Sequence, residues 1–329
     1  MSRSLNLNNV RFFSGQSHRE LAAGIAAYLS APLEDTVYGK YSNDNLYIQL
    51  GASVRSRSVF IVQSLVEPVS DRLLELLMML DAARGAAARE VHAIIPYFSY
   101  ARSDKKDAPR ISITARLIAD LLQTAGATHV MTMTLHSPQV HGFFGIPTDP
   151  LTARALFINH LRQRNLSAAD TIVVAPDFGR AGSAARLAKH LSLPVAAGEK
   201  MRVSDTEVRI SGLISKQVEG FRRAVIYDDE IATGGSVVEL SSHLIDNGIE
   251  EIVVVCTHGL FTRDAIPKLA AIPQISEIVT TDTAPIPPHK RLPNMTVLSV
   301  AEVFGEAIWR NCTRQSIGDL YAFWQEKDA

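Results

Sequence analysis

The sequence has few cysteines, almost no net charge and no long apolar run. Two cysteines in 329 residues cannot form a disulfide framework, and Cys256 lies in an apolar stretch where a buried small hydrophobic residue is expected. Lys and Arg number 33 against 34 Asp and Glu, so the formal net charge is −1. Because this balance gives no general attraction to nucleic acid or to an anionic membrane, an anionic ligand needs a local binding site.

Targeting segments, membrane spans and several catalytic motifs are also missing. The N-terminus, MSRSLNLNNVRFFSG, lacks the apolar core of a signal peptide, and no uncharged apolar stretch reaches the roughly 18 residues of a membrane span. The motifs HExxH, GxxxxGKS/T and CxxC do not occur, so zinc hydrolysis, Walker-type ATP binding and dithiol chemistry lack support. We expect a cytoplasmic protein without a membrane or nucleic-acid partner.

Short Val- and Ile-rich runs alternate with amphipathic segments of helical length. This alternation predicts an α/β fold in which helices cover both faces of parallel sheets. The predicted strands are Val59–Gln63, Val91–Pro96, His129–Met133, Ile172–Ala175, Ala224–Tyr227 and Ile252–Cys256. The predicted helices are Asp71–Arg84, Ser112–Thr124, Gly182–Leu191 and Ser236–Asn247.

The length and a weak internal duplication predict two similar domains. The strand–helix–strand unit that begins near Arg57 has a counterpart of similar length that begins near Arg223. A chain of 329 residues also exceeds the usual size of one core. We therefore predict one domain from residues 1–150 plus 305–329 and a second from residues 151–304. A single large sheet is the alternative.

The most specific local feature is the segment AVIYDDEIATGGS, Ala224–Ser236. A buried strand is followed by two carboxylates, a glycine-rich turn and a helix. Glycines permit positive φ and a close backbone approach, and the N–H groups at a helix N-terminus can bind a phosphate. Carboxylates can accept hydrogen bonds from sugar hydroxyls or hold a metal through water. The residues predicted to bind a pentose phosphate here are Asp228, Asp229, Thr233, Gly234, Gly235 and Ser236.

The alternative for this segment is a tight strand-to-helix turn with Ser236 as the N-cap. Adjacent carboxylates at a buried strand end repel each other, which is costly for a turn that binds nothing. The segment resembles the phosphoribose-binding loop of type I phosphoribosyltransferases and of ribose-phosphate pyrophosphokinases. By itself it does not separate the two families.

A second stretch separates them, because phosphoribosyltransferases lack it. Residues Ile95–Phe144, which include YARSDKKDAPR and LHSPQVHGFF, resemble the ATP-binding stretch of ribose-phosphate pyrophosphokinases. The similarity continues through APDFGRAGSAARLAK at Ala175–Lys189 and through EKMR at Glu199–Arg202. It covers the chain from about Val10 to Gly305.

This resemblance implies a fold and an activity. The expected fold has two similar type I phosphoribosyltransferase-like domains, each a mainly parallel sheet flanked by helices. The N-terminal domain would bind ATP, and the C-terminal domain would bind the pentose phosphate. The expected reaction transfers diphosphate from ATP to the anomeric hydroxyl of ribose 5-phosphate, which gives phosphoribosyl diphosphate and AMP. It needs Mg²⁺, and the enzyme is expected to be a homo-oligomer built from dimers, such as a hexamer.

The resemblance also implies roles for residues outside the glycine-rich loop. Lys200 and Arg202 match the catalytic loop, where they would stabilise charge on the phosphates. His136 and Asp177 match the magnesium ligands, and Asp177 also belongs to the pentose-phosphate site. The remaining nucleotide-binding residues are Tyr41, Asn43, Asn45, Arg102, Ser103 and Asp104, together with His136.

The sequence departs from the family pattern at several of these positions. Asn43 and Asn45 replace the carboxylates that read the adenine edge, although Tyr41 keeps the stacking aromatic ring. Ser103 replaces a glutamine, and Ala232, in the pentose-phosphate loop, replaces a carboxylate. An amide both donates and accepts hydrogen bonds, so a changed nucleotide or pentose preference is expected. Two alternatives therefore stay open, a non-catalytic regulatory homologue and a phosphoribosyltransferase.

Overall fold

The computed structural model describes residues 9–198, 200–202, 208–210 and 213–321. The chain divides into two compact units. The first unit comprises Met1–Thr152 and Ser299–Ala329, and the second comprises Ala153–Leu298. Within the described ranges, no helix is both long enough and apolar enough to cross a membrane.

Strands and helices alternate along most of the chain. The strands are β1 Val10–Ser14, β2 Thr36–Lys40, β3 Leu46–Leu50, β4 Ser58–Val62, β5 Glu90–Ile95, β6 His129–Met133, β7 Thr148–Leu151, β8 Thr171–Ala175, β9 Val195–Ala197, β10 Lys200–Arg202, β11 Val208–Ile210, β12 Arg223–Ile231, β13 Glu251–Gly259, β14 Ile275–Thr281 and β15 Met295–Leu298. The helices are α1 Arg19–Tyr28, α2 Val69–Gly85, α3 Thr114–Ala125, α4 Arg154–Leu161, α5 Phe178–Leu191, α6 Leu213–Val218, α7 Gly235–Asp246, α8 Ala265–Ala270 and α9 Ala301–Cys312.

The first unit is built on a five-stranded parallel sheet with the order β1–β4–β5–β6–β7. Every residue of β4 is buried, as expected for a strand that helices cover on both faces. Alternate residues point to opposite faces of a strand. Phe13 and Ile61 accordingly join the core formed with α2 and α3, whereas Phe12 and Phe60 lie outside that core and stack at 5.0 Å.

Two further elements complete the first unit. The antiparallel hairpin β2–β3 packs against α2, and Tyr38 in the hairpin donates a hydrogen bond to the carbonyl oxygen of Ser14. Helix α9 returns from the far end of the chain and packs on α1. Tyr28 Oη lies 2.9 Å from Glu306 Oε2, and a Cβ added at Gly305 would lie 2.4 Å from the Tyr28 ring. The close approach of α1 and α9 therefore requires glycine at this position.

A buried polar group, which we call the amino-edge cluster, lies where strands of the first unit begin. It consists of His92 in β5, His129 in β6, Asp149 in β7 and Tyr321. The Nδ1 atoms of His92 and His129 are 3.0 Å apart, and His129 Nε2 lies 2.8 Å from Asp149 Oδ2. Tyr321 donates a hydrogen bond to the other oxygen of Asp149. Burial, and then the charge of His129, lower the pKa of His92 to about 4, so His92 is neutral at pH 7.

The second unit is built on a six-stranded parallel sheet with the order β15–β14–β13–β12–β8–β9. One face packs into a core with α7 and α8, to which Ile226, Leu240 and Val254 contribute fully buried side chains. Strands β10 and β11 form a separate antiparallel hairpin in which Met201 is paired with Arg209. The predicted α/β class with mainly parallel sheets flanked by helices is confirmed.

Strand β12 continues further than the sequence predicts. The prediction ends it at Tyr227, before the charged residues, but the strand runs to Ile231 and contains Asp228 and Asp229. Strand β12 pairs with β8 as far as Ile226, whereas its pairing with β13 continues to Ile231. The neighbouring strand therefore keeps the backbone extended past the point where side-chain polarity predicts an end.

Candidate active site

The predicted pentose-phosphate residues of the second unit meet at one edge of its sheet. Strands β8 and β12 are parallel neighbours, with Val174 opposite Ile226. Asp177 comes two residues after β8, and Asp228 lies two residues beyond the paired Ile226. Because the carboxyl ends of parallel strands share an edge, these carboxylates lie in one region, where ligands of open α/β sheets bind.

Asp177 is the N-cap of α5. Its Oδ1 accepts a hydrogen bond from the backbone N–H of Arg180 at 3.1 Å, which satisfies one donor at the helix start. The prediction began this helix at Gly182, because glycine and arginine obscure the periodicity of the first turn. The cap moves the start to Phe178, whose ring is 58% exposed beside the capping carboxylate.

Asp228 and Asp229 form a close carboxylate pair that Arg180 contacts. Arg180 Nε lies 3.0 Å from Asp229 Oδ1 and 3.9 Å from Asp228 Oδ1, and all three side chains are largely buried. The backbone N–H of Asp229 donates to Asp228 Oδ1 at 2.8 Å. Burial raises the pKa of Asp228 well above its usual range, and the charge of Asp229 raises it further, whereas the Arg180 guanidinium acts in the opposite direction.

The glycine-rich turn places one helix N-terminus at this edge. Gly234 has φ of +75° and is the N-cap of α7, while Gly235 is the first helical residue. Gly234 uses the positive φ that glycine permits, whereas Gly235 already belongs to the helix. The alternative with Ser236 as the N-cap is wrong, since Gly234 holds that position without a side-chain cap bond. First-turn N–H groups of a helix have no partner within it and can bind an anion.

The other two loop residues lie between the strand and this helix. Ala232 and Thr233 follow β12, and the Ala232 carbonyl oxygen accepts a hydrogen bond from the Thr262 N–H at 2.8 Å. This bond ties the loop to the segment before α8. The backbone at Ala232 is therefore anchored although its side chain offers no polar group.

The predicted catalytic cations are on the hairpin. Lys200 and Arg202 are alternate residues of β10, opposite Ile210 and Val208 of β11. Their side chains, and Glu199 in the same EKMR segment, lie outside the part of the chain that the structure describes. The catalytic roles of Lys200 and Arg202 stay predictions.

In the first unit, the predicted nucleotide residues follow strands β5 and β6. Arg102 ends a short 3-10 turn, Ser99–Arg102, and is exposed. Asp104 is half-buried in the loop beyond it, and His136 is half-buried three residues after β6. Because β5 and β6 are parallel neighbours, Arg102 and His136 follow the carboxyl ends of adjacent strands.

Ser103 ties the same loop to the start of α3. Its Oγ accepts a hydrogen bond from the Thr114 N–H at 3.3 Å, and its carbonyl oxygen accepts one from the Ala115 N–H at 3.1 Å. These bonds close the loop between Ser103 and α3. They give Ser103 a structural task beside the predicted nucleotide contact.

The remaining predicted nucleotide residues form the turn of the β2–β3 hairpin. Tyr41 is 58% exposed and lies edge-on to Tyr47, with ring centroids 5.7 Å apart. The Tyr41 N–H donates to the Asn45 carbonyl oxygen at 2.8 Å, and the Asn45 N–H donates to Asn43 Oδ1 at 3.3 Å. The amide oxygen of Asn43 therefore shapes the turn. This hairpin packs on α2, whereas Arg102 and His136 follow β5 and β6.

A magnesium ion would suit Asp177 as a partial ligand. Among the described residues, no three or more His, Cys, Asp or Glu side chains are grouped to hold a metal ion. Magnesium keeps several waters and uses one or two carboxylates with substrate phosphates, so it needs no such group. Asp177 presents a carboxylate at the sheet edge. The other predicted ligand, His136, belongs to the first unit, and both assignments stay predictions.

Sequence reasoning missed Arg180. A signal was present, since a basic residue in the first turn of a helix opposes the helix dipole and needs a local explanation. The same turn follows Asp177, and two more carboxylates come after the neighbouring strand. Nothing in the spacing of these residues, however, gives the pairing of Arg180 with Asp229.

Comparisons with known proteins agree on one family. Residues 10–126 match the model of the N-terminal domain of ribose phosphate pyrophosphokinase, and residues 208–322 match the phosphoribosyl synthetase-associated domain. The ribose-phosphate pyrophosphokinase of Deinococcus radiodurans is 45% identical over 94% of this chain and 97% of its own length. That of Caldanaerobacter subterraneus is 39% identical over 95% of this chain and 98% of its own.

A solved structure supports the same relation. The crystal structure of phosphoribosylpyrophosphate synthetase from Mycobacterium smegmatis has a TM-score of 0.86 and 33% sequence identity. It covers 93% of this chain, which in turn covers 99% of that protein. The predicted phosphoribosyltransferase-like fold is confirmed.

Proposed function

The chain belongs to the ribose-phosphate pyrophosphokinase family, and from this membership we propose a residue-level account of its reaction. The reaction transfers diphosphate from ATP to the anomeric hydroxyl of ribose 5-phosphate and gives phosphoribosyl diphosphate and AMP. The observation that carries the proposal is the gathering of Asp177, Asp228 and Asp229 at one sheet edge beside the N-terminus of α7.

The pentose phosphate binds in the second unit. Asp228 and Asp229 accept hydrogen bonds from the sugar hydroxyls, since a carboxylate and the carbonyl oxygen of a protonated carboxyl can both act as acceptors. The 5-phosphate lies at the start of α7, where Gly235 and Ser236 provide N–H groups and Thr233 provides a hydroxyl. This division matches the chemistry of the two ends of the substrate, because hydroxyls meet acceptors and the phosphate meets donors.

ATP binds to the first unit. The planar guanidinium of Arg102 can bind phosphate oxygens with two parallel hydrogen bonds, and the exposed Tyr41 ring offers a stacking surface for a base. Asn43 and Asn45 can both donate and accept, so they favour bases that a pair of carboxylates would reject. We propose ATP as the nucleotide, with a broader tolerance at the base than a carboxylate-lined site allows.

The chemical step is an in-line displacement at the β-phosphorus of ATP. The anomeric oxygen forms a bond to this phosphorus, the bond from the phosphorus to the α,β-bridging oxygen breaks, AMP leaves and the hydroxyl proton is released. Lys200 and Arg202 stabilise the charge that develops on the transferred group. Asp177 would hold Mg²⁺ in the second unit, and the resemblance assigns His136 as a further ligand; when bound, the ion would supply positive charge to the phosphates. A cytoplasmic location and a homo-oligomeric assembly are part of the same proposal.

A product assay tests this function. Purified protein is incubated with Mg²⁺, ATP and ribose 5-phosphate, and AMP and phosphoribosyl diphosphate are quantified by chromatography. We expect both products in equal amounts, and none when Mg²⁺ is removed by chelation. A panel of nucleoside triphosphates and pentose phosphates measures the preference. Absence of both products across the whole panel would contradict the proposal, and release of diphosphate from phosphoribosyl diphosphate with a free base would indicate a phosphoribosyltransferase instead.

A further inference from the structure

Arg180 contacts three carboxylates at the carboxyl end of the second unit's sheet. Its backbone N–H donates to Asp177 Oδ1 at 3.1 Å, and its Nε lies 3.0 Å from Asp229 Oδ1 and 3.9 Å from Asp228 Oδ1. One residue thus connects the cap of α5 to the carboxylate pair of β12. None of the predicted roles of the loop residues requires this connection.

The cap of α5 does not explain the Arg180 side chain. Any residue other than proline offers the N–H that Asp177 accepts. A cation in the first turn of a helix also opposes the helix dipole. The side chain is only 12% exposed, so its guanidinium is largely desolvated. Its compensation comes from the ion pair with Asp229, which is only 5% exposed.

The carboxylate pair needs a positive partner in order to act as an acceptor. Two ionised carboxylates on consecutive residues repel each other, and burial increases the cost of that repulsion. A protonated carboxyl keeps an acceptor oxygen but turns the other into a donor, so it accepts fewer hydrogen bonds from sugar hydroxyls than a carboxylate does. The Arg180 guanidinium offsets one of the two negative charges and holds the Asp229 side chain in place.

We infer that Arg180 is a positioning residue of the pentose-phosphate site, which fixes the Asp228 and Asp229 carboxylates as acceptors for the sugar hydroxyls. This inference rests on the function proposed above. It adds a specificity determinant on α5 to the loop residues of β12 and α7. The contact with Asp229 is made by the side chain, so its role can be tested without removing the cap that the backbone supplies.

The test is a comparison of substitutions on α5. Arg180→Met removes the charge but keeps most of the length, Arg180→Gln leaves a neutral donor, and Arg180→Lys keeps the charge. Lys189→Met is the matched control, since Lys189 is an exposed cation in the last turn of the same helix. Each purified variant is assayed for kcat and for the KM of both substrates. Ribose 5-phosphate binding is also measured by calorimetry, and thermal unfolding checks the fold.

We expect Arg180→Met to raise the KM for ribose 5-phosphate about tenfold or more, while the KM for ATP stays within about twofold. The Arg180→Lys variant should regain most of the pentose affinity, and Lys189→Met should resemble the unmodified protein. If Arg180→Met does not fold, the glutamine and lysine variants give the same contrast. Equal losses for both substrates, or an unchanged or lowered pentose KM, would overturn the inference. An unmodified protein that makes no product would instead overturn the proposed function, whatever Arg180 does.

Discussion

Two buried clusters of titratable side chains lie at opposite ends of the strands, one in each of the two parallel sheets. The amino-edge cluster of the first unit joins His92, His129 and Asp149 beneath Tyr321. The carboxylate pair of the second unit joins Asp228 and Asp229 through a contact with Arg180. A pKa is strongly shifted in each cluster, yet only the second lies at the carboxyl ends of the strands, where helix N-termini and loops can meet a ligand.

The comparison shows that burial and a shifted pKa do not identify function by themselves. In the amino-edge cluster, three ring nitrogens and both oxygens of Asp149 make contacts within the cluster. At the carboxyl edge, two adjacent carboxylates bring negative charge together, and the Arg180 guanidinium offsets part of it. We therefore expect substitutions in the first group to change stability and those in the second to change catalysis.

The largest expected effect comes from removing one charge of the carboxylate pair. Asp229→Asn takes the ion-pair partner from Arg180 and weakens an acceptor for the sugar. We expect kcat/KM for ribose 5-phosphate to fall about a hundredfold even at temperatures where the variant is fully folded, because relief of the repulsion between Asp228 and Asp229 offsets part of the stability lost with the ion pair. Steady-state kinetics and thermal unfolding give the two readouts.

Two matched variants make this test specific. Asp246→Asn changes an exposed aspartate at the far end of α7 and should leave kcat/KM unchanged. Asp149→Asn changes the buried aspartate of the amino-edge cluster and should lower the free energy of unfolding by about 2 kcal/mol while both KM values stay the same. The comparison would break down if Asp149→Asn lost pentose affinity or if Asp229→Asn lost only stability.

The next effect is a dependence of stability on pH in the first unit. The pKa of His92 is lowered from 6.5 to about 4 in the folded protein. Between these values the unfolded chain binds more protons than the folded one, so the free energy of unfolding decreases as pH falls from 6.5 to 4. Integrated over that window, the loss from His92 is roughly 2 to 3 kcal/mol.

Denaturant unfolding at a series of pH values measures this slope. The control is His92→Phe, which keeps a ring stacked on Phe60, where the centroids now lie 4.3 Å apart. We expect the variant to be less stable at pH 7, because His129 loses its partner, but to have a flatter profile between pH 6.5 and 4. An equally steep profile in the variant would assign the acid sensitivity to other groups.

The smallest expected effect compares the two ends of α7. Gly234 before the helix and Gly248 after it both have positive φ, +75° and +92°. A Cβ at Gly234 would meet Ala265 at an ordinary 3.6 Å, and one at Gly248 would meet nothing within 4 Å. Alanine at either site should therefore cost a similar amount of stability, about 1 kcal/mol, through the backbone alone.

Their effects on activity should differ, because only Gly234 lies at the proposed phosphate end of the helix. We expect Gly234→Ala to raise the KM for ribose 5-phosphate several-fold, on the order of the loss of one hydrogen bond, and Gly248→Ala to leave it unchanged. Equal KM values in the two variants would argue against phosphate binding at the start of α7.

The sequence predicts the apolar middle of the strands well and the positions where strands end less well. Runs such as Ser58–Val62 are apolar on both faces, so composition alone marks them as buried strands. The end of β12 depends instead on β13, which pairs with it beyond the last apolar residue. That pairing joins residues about 28 positions apart, as between Ile231 and Gly259, and no local pattern records it.

The candidate site shows the same limit. Asp228 and Asp229 are evident in the sequence because they follow a buried apolar run and precede a glycine-rich turn, whereas Asp177 is found through the family resemblance. The contact between Asp229 and Arg180 is not evident, because Arg180 lies on α5, 49 residues earlier in the chain. The contact of Ser103 is not evident from the sequence either, since its hydrogen bond with the Thr114 N–H depends on how a loop of about ten residues closes. Contacts of this kind follow from tertiary structure and not from residue type.

The packing of α9 on α1 affects the order in which the protein can be completed during synthesis. The second unit, Ala153–Leu298, leaves the ribosome whole, whereas the first unit still lacks α9 at that moment. Until α9 is made, the face of α1 that carries Gly24 and Tyr28 lacks its packing partner. The first unit therefore begins to be synthesised before the second unit but completes its packing after it.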